Sequence, residues 1–281
     1  MPYAESNGVR LYYEEAGKGI PIIFVHEFSG DLWSWEGQIQ HFCRRYRCIA
    51  FNARGYPPSD VPAAVSKYSQ QIAVDDVVAV MRHAGVRKAH IMGCSMGSQT
   101  TLYFGLTNPR MAMSLTMIGI GTGSNPSDRS VFLRDTEAKA RVFEEGGLAA
   151  ALKNLRKTAN RMQLKDKNPR AFESFCEKFM QHSALGHANI VRGVQGRRPA
   201  LHSLESKLRA LKVPAHIIVG DEDPGAVDAG IYIKRVSRAA RLTVAPATGH
   251  LVNLEEPELL NGLTEDFYAL IESGRWRPRR D

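Results

Sequence analysis

The chain has 281 residues, 43% of them hydrophobic and 23% charged. These are ordinary proportions for a soluble globular protein, and they allow a core that needs neither disulfide nor metal. The formal net charge is +8, but the basic residues are scattered through amphipathic segments and the one cluster, Arg275 to Arg280, reads as a solvated tail, so no nucleic-acid partner is expected.

Met1 to Gly8 has neither the basic start nor the apolar stretch of a secretory signal, and no apolar run approaches the roughly 18 residues of a membrane span. The expectation is a cytoplasmic protein that does not enter membranes. Its four cysteines, Cys43, Cys48, Cys94 and Cys176, form no CxxC pair and no zinc-ligand spacing, and reduced thiols are the simpler reading.

In chain order, Asn7-Gly8 is a two-residue hairpin signal between Pro2–Ser6 and Val9–Glu15, because a type I′ turn needs φ > 0 at both central positions. A short apolar run over Ile20–His26 suits a strand buried on both faces. The same kind of run recurs at Arg47–Phe51, His90–Gly93, Ser114–Ile120, Ala215–Val219 and Leu242–Ala245. Helical periodicity lies between them. It covers Trp33–Cys43, then Ile72–His83 with Val74, Val77, Val78 and Met81 on one face, then Met96–Leu106. The final helix, Pro257–Ile271, has Leu259, Leu260, Leu263, Phe267 and Leu270 as its apolar stripe.

Strands alternating with helices predict βαβ units and a mainly parallel, eight-stranded sheet with an antiparallel hairpin in front. One stretch breaks the alternation. From about Ser127 to Arg209 there is helical pattern and no convincing strand, with helices over Val131–Phe143, Leu148–Met162 and Ala171–Met180. An insertion at that point would lie over the carboxyl ends of the strands, where parallel sheets bind ligands. The expected organisation is a core domain of residues 1–125 and 210–281 and a helical cap of residues 126–209.

The chemistry is carried by Gly93-Cys94-Ser95-Met96-Gly97, a G-x-S-x-G string between a strand and a helix. So sharp a turn strains the serine backbone and leaves no room for side chains two residues before and after it. It also sets Ser95 at a helix N-terminus, which favours developing negative charge. Serine needs a base, and His250 follows the last strand in Pro246-Ala247-Thr248-Gly249-His250. The other histidines fall inside regular elements or the expected cap, apart from His26. That residue is read as holding its own loop.

An acid that fixes the imidazole tautomer belongs after the penultimate strand. There Gly220-Asp221-Glu222-Asp223-Pro224 offers three carboxylates, with Asp223 favoured over Asp221 and Glu222 third. The other place for an acid, Gly119 to Asn125, contains none. Acyl transfer also needs preorganised N–H donors. These are assigned to the backbone of Met96 and of Phe28, with Glu27 as the fallback for Phe28.

With these residues in place the sequence resembles the α/β-hydrolase superfamily over nearly its whole length. The matching pieces are His26–Gly30, Asn52-Ala53-Arg54-Gly55, Gly93–Gly97, Gly220–Pro224 and Gly249-His250, and capped bacterial carboxylesterases are the nearest likeness. The resemblance implies a Ser95–His250–Asp223 triad, since the family's acid stands three residues after a glycine. It implies an α/β-hydrolase fold with a cap and an esterase acting through an acyl-enzyme on a small-molecule ester, with no cofactor or metal; it leaves a homodimer open.

Enol-lactone, carbon–carbon bond and perhydrolase-type reactions on the same triad are the alternative, and a non-catalytic ligand receptor is a more distant one. Epoxide hydrolases and haloalkane dehalogenases use aspartate where this chain has Ser95. One departure stands out: most relatives carry His-Gly where this chain has His26-Glu27. Glu27 is therefore a candidate to bind a substrate group or to pair with a loop arginine such as Arg54. Phe172 and Phe175, with Met162, Phe179 and Met180, are candidates for an apolar roof over the substrate, their alternative being the cap's own core.

Overall fold

The protein is described here from a computed structural model, which covers residues 2–121, 123 and 129–280. The strands are β1 (Tyr3–Ser6), β2 (Val9–Ala16), β3 (Ile20–Val25), β4 (Tyr46–Phe51), β5 (Ala89–Cys94), β6 (Ala112–Ile118), β7 (Ala215–Gly220) and β8 (Ala240–Ala245). They form one eight-stranded sheet in the order β1-β2-β4-β3-β5-β6-β7-β8. β1 pairs antiparallel with β2, and β2 antiparallel with β4. Every other pairing is parallel, for example Ile22 against both Cys48 and His90.

The helices of the core are α1 (Glu36–Phe42), α2 (Gln70–His83) and α3 (Met96–Thr107). Between β6 and β7 come α4 (Arg129–Leu155), α5 (Met162–Lys167), α6 (Pro169–Phe179), α7 (Ala184–Ile190) and α8 (Glu205–Ala210). After β7 follow α9 (Pro224–Val236), α10 (Val252–Glu255) and α11 (Pro257–Glu272).

Strand periodicity sorts the apolar side chains into two layers. Ile22 and Phe24 of β3 point to the face covered by α1 and α11, where Trp35, Phe42, Leu260 and Tyr268 are buried. Ile23 and Val25 point to the opposite face, under Val77 and Met81 of α2, Leu102 of α3 and Ile233 of α9. Among the described residues no helix is long and apolar enough to cross a membrane. All four cysteines are free thiols.

Three details depart from the expectations. Helix α9, which joins the parallel strands β7 and β8, has no counterpart among the expected helices; Asp223-Pro224 starts it with proline in the first turn, and Ala226, Ala229, Gly230 and Ile233 make its buried stripe. The stripe of α11 is rotated: Leu260, Thr264, Phe267 and Tyr268 are buried, whereas Leu259 and Leu270 are exposed. The two helices expected over 131–162 meet at Gly147, whose φ of 63° interrupts α4, and the second ends at Leu155 rather than Met162. The expected core–cap boundary at 125–126, and Thr122, Ser124 and Asn125 of the segment read as lacking an acid, lie outside the described residues.

Candidate active site

β5 ends directly in Ser95, which has φ 54° and ψ −109°, a conformation L-residues rarely adopt. Two glycines make the turn possible. A Cβ at Gly93 would lie 2.3 Å from the carbonyl oxygen of Gly97, and one at Gly97 would lie 1.9 Å from that of Val25 at the end of β3. α3 is thus wedged against the β3 strand end. Ser95 N–H donates to the carbonyl of Ile118 at 2.7 Å.

The loop after β3 is held by His26. Its Nε2 accepts from the N–H of Ala53 at 3.0 Å, so Nδ1 carries the proton and donates to the carbonyl of Glu27 at 2.7 Å. Burial pushes the pKa of His26 down to about 4, which keeps the ring neutral. Tyr56 donates its hydroxyl to the carbonyl of Phe28 at 2.7 Å. Phe28 and Met96 both line the cavity that contains Ser95 and His250.

His250 lies on the loop after β8. Its Nε2 is 2.7 Å from Ser95 Oγ, and its Nδ1 is hydrogen-bonded to Asp223 Oδ2. His250 and Asp223 are both buried. The other two carboxylates of the β7 loop are engaged elsewhere. Asp221 Oδ1 accepts from the N–H of Thr248 at 3.0 Å, a bond that holds its pKa below the usual range, and exposed Glu222 accepts from Gln163 at 2.8 and 2.9 Å. The two loops are fastened together further. Glu222 N–H donates to Thr248 O, Asp221 N–H to Ala245 O, and a Cβ at Gly220 would meet Thr248 O at 2.1 Å.

Glu255, not singled out in the sequence, supports the loop that carries His250. This buried carboxylate accepts from the N–H groups on both sides of His250, Gly249 at 2.5 Å and Leu251 at 3.0 Å. Its signal was the spacing, a carboxylate five residues after the histidine, at the end of the short helix α10.

Other predicted residues are placed apart from Ser95. Glu27 does not line the cavity; it is fully buried, with Oε1 accepting from Ser34 Oγ at 2.8 Å. Arg54 is not its partner. Arg54 makes a two-pronged ion pair with Asp76 of α2 at 2.6 and 2.7 Å. Phe172 is buried in the core of the helical segment, with Arg156 5.7 Å from its ring centre. Phe175 borders a separate groove of about 250 Å³ beside Trp33 and Lys178. Of the expected roof, Phe179 borders a cavity of about 370 Å³ adjoining the one at Ser95, while Met180 is exposed.

The cavity at Ser95 measures about 200 Å³. The helical segment contributes much of its wall: Lys139 from α4, then Thr158, Arg161, Gln195 and Arg198. None of these was singled out in the sequence. Among the described residues no group of three His, Cys, Asp or Glu side chains could hold a metal ion.

A family model described as alpha/beta hydrolase fold matches residues 20–257. The 3-oxoadipate enol-lactonase 1 of Acinetobacter baylyi is 25% identical over 253 residues, covering 89% of this chain and 89% of that protein. The epoxide hydrolase 1 of Siraitia grosvenorii is 25% identical, covering 93% and 96%. Among solved structures, a thermophilic esterase from Thermogutta terrifontis superposes with a TM-score of 0.82 at 20% identity, over 96% of this chain and 98% of that one.

Proposed function

This chain belongs to the α/β-hydrolase fold family, and from that premise we propose that it hydrolyses carboxylic esters through an acyl-enzyme on Ser95. The observation that carries the reading is the contact line Ser95 Oγ, His250 Nε2, His250 Nδ1, Asp223 Oδ2, with 2.7 Å at its first join. As Oγ attacks the ester carbonyl, its proton passes to Nε2. Asp223 holds the Nδ1–H tautomer and stabilises the imidazolium that forms. The N–H groups of Met96 and Phe28 take the developing oxyanion, and the helix N-terminus adds to that field. The imidazolium protonates the departing alcohol. His250 then draws a proton from water, which attacks the acyl-enzyme and releases the acid. The helical insertion between β6 and β7, expected over residues 126–209, acts as a cap through Lys139, Thr158, Arg161, Gln195 and Arg198 in the cavity wall.

A lactone is an ester closed into a ring, so the same steps open it. The likeness to an enol-lactonase at 25% identity favours this as the second reading. The likeness to an epoxide hydrolase is weighed against by the serine at the nucleophile position.

The test is a series of p-nitrophenyl esters from acetate to octanoate. Ser95→Ala is expected to lower kcat by about 10³–10⁶-fold, and a p-nitrophenyl phosphonate should label the wild type but not the variant. Undiminished turnover in Ser95→Ala would exclude the mechanism.

A further inference from the structure

The charge lining the Ser95 cavity is one-sided. Lys139, Arg161 and Arg198 all face it, and no carboxylate among the described residues does; the adjoining cavity, which shares Lys139 and Arg161, adds only Asp135. Three cations come together here from three separate stretches of the helical segment. Arg198 is 5% exposed. Lys139 lies 4.2 Å from the ring centre of Phe28, and Arg161 donates to Ser29 Oγ at 3.3 Å. Both contacts bring a cation to the loop that carries the expected oxyanion donor.

Gathering like charges around one small cavity is costly, most of all for the buried member, Arg198. That group registers the cost. Burial, followed by Arg129, pushes the pKa of Arg198 down to about 10, whereas Lys139 stays solvent-exposed at the rim of the cavity. Arg161 has carboxyl groups behind it, Glu27, Asp223 and Glu255, but none of the three lines the cavity. A second observation is independent of charge. Gln99, one turn beyond Ser95 on α3, lines the same cavity at 2% exposure, and neither its amide nitrogen nor its amide oxygen has a hydrogen-bond partner. Buried amides of this kind are ordinarily satisfied. A ligand with polar oxygens in the cavity would satisfy this one.

We propose that the cavity is built for a substrate that carries a carboxylate in addition to the ester it presents to Ser95, such as the half-ester of a dicarboxylic acid or a lactone acid. Guanidinium groups bind a planar carboxylate through paired N–H donors. The small cavity puts that anion within a few bonds of the scissile carbonyl. The inference rests on the hydrolase reading above for the ester half of the substrate and on the cavity wall alone for the anionic half.

The experiment compares matched pairs on the full-length protein by titrating released acid. Monomethyl succinate and monomethyl adipate are set against methyl butyrate and methyl hexanoate, which places the anion on the acyl side. 3-Acetoxypropionate is set against propyl acetate, which places it on the alcohol side. In at least one panel kcat/KM for the acid ester is expected to exceed that for its neutral partner by about tenfold or more, and the ratio should shrink with added salt. Arg198→Gln and Arg161→Gln should each lower that ratio by about tenfold. In parallel, calorimetry on Ser95→Ala measures binding of the preferred half-ester without turnover, and Arg161→Lys, which keeps the charge, should retain part of it.

Neutral esters cut as well as or better than acid esters in both panels would overturn the proposal and leave the esterase reading standing. Binding of a half-ester to Ser95→Ala, lost in the Arg198→Gln double variant, would uphold the anion site even if no ester were turned over, and then it is the esterase reading that fails. Absence of both acid-ester preference and half-ester binding would overturn the proposal outright.

Discussion

At the scale of single residues Glu27 is the most unusual group in the core. A carboxyl with no exposure sits beside the expected oxyanion loop, one oxygen bonded to Ser34 and the other, Oε2, without a partner. Its side chain fills space that Gly30 leaves open, since a Cβ there would stand 1.9 Å from Glu27 Oε1. With a folded pKa of about 7 against an ordinary value of 4.5, the folded state keeps a proton that the unfolded state has lost. The contribution of Glu27 to stability is therefore full below about pH 4.5 and is lost as pH rises to about 7, by about 1.4 kcal/mol per unit over that window. Glu27→Gln, a neutral isostere, should remove the decline. The difference in Tm between variant and wild type should grow from pH 5 to pH 8 in parallel thermal melts; a difference that stays constant or narrows would refute the assignment. The presence of a carboxylate at this position could be read from the sequence, but its neutralised state could not. Burial and partner choice are set by packing, and Arg54, the nearest cation in the motif, is committed to Asp76.

Among the elements, that pair ties the loop after β4 to α2. Both side chains are almost fully buried, and Arg54 also donates to the carbonyl of Lys67 at 2.9 Å. Asp76→Ala would strand a buried guanidinium, and a loss of about 3–5 kcal/mol in denaturant unfolding is expected. A loss below about 1 kcal/mol would mean that the pair is dispensable. The strands and the longer core helices were legible because burial on both faces, or on one stripe, writes itself into apolar spacing. α9 was not, because three of its four buried residues are alanine or glycine, too small to register as hydrophobic pattern. The glycine and serine of the turn at 93–97 were legible for the opposite reason: steric exclusion of the kind met at Gly93 and Gly97 leaves only glycine there. The cationic wall of the cavity was invisible, since Lys139, Arg161 and Arg198 stand far apart in the sequence among many other basic residues of the helical segment.

For the molecule as a whole, buried histidines set the response to acid. His26 is pushed down to about 4, His216 to about 4 and His90 to about 3, each chiefly by burial. His90 stacks on Tyr268 at 3.8 Å and contacts Ser114 Oγ at 2.7 Å, and His216 contacts Thr243 Oγ1 at 2.9 Å. Below their unfolded value of about 6.5 the unfolded chain takes up protons that the folded chain refuses, so stability falls as pH falls toward 4. Between pH 6.5 and pH 5 each histidine removes about 2 kcal/mol. Glu27 acts in the reverse direction, as do Asp76 and Glu255, whose carboxyls burial also pushes up, while a fourth buried ring, His187, is pushed well below its usual value and acts with the three. Calorimetric melts should show Tm falling monotonically over that interval, with net proton uptake on unfolding; a Tm that rises on acidification would contradict the buried, neutral state of these rings.

The fastening of the β7 and β8 loops has a mechanical corollary. Asp223 and His250 ride on a single stiff clasp closed by Asp221, Thr248 and the tight fit at Gly220, whereas Ser95 belongs to a second rigid unit, keyed into the end of β3 by Gly97. The seam between the two units crosses the site at the hydroxyl–imidazole contact. A distortion of the sheet, from whatever source, will accordingly part the serine from the ring before it parts the ring from its carboxylate.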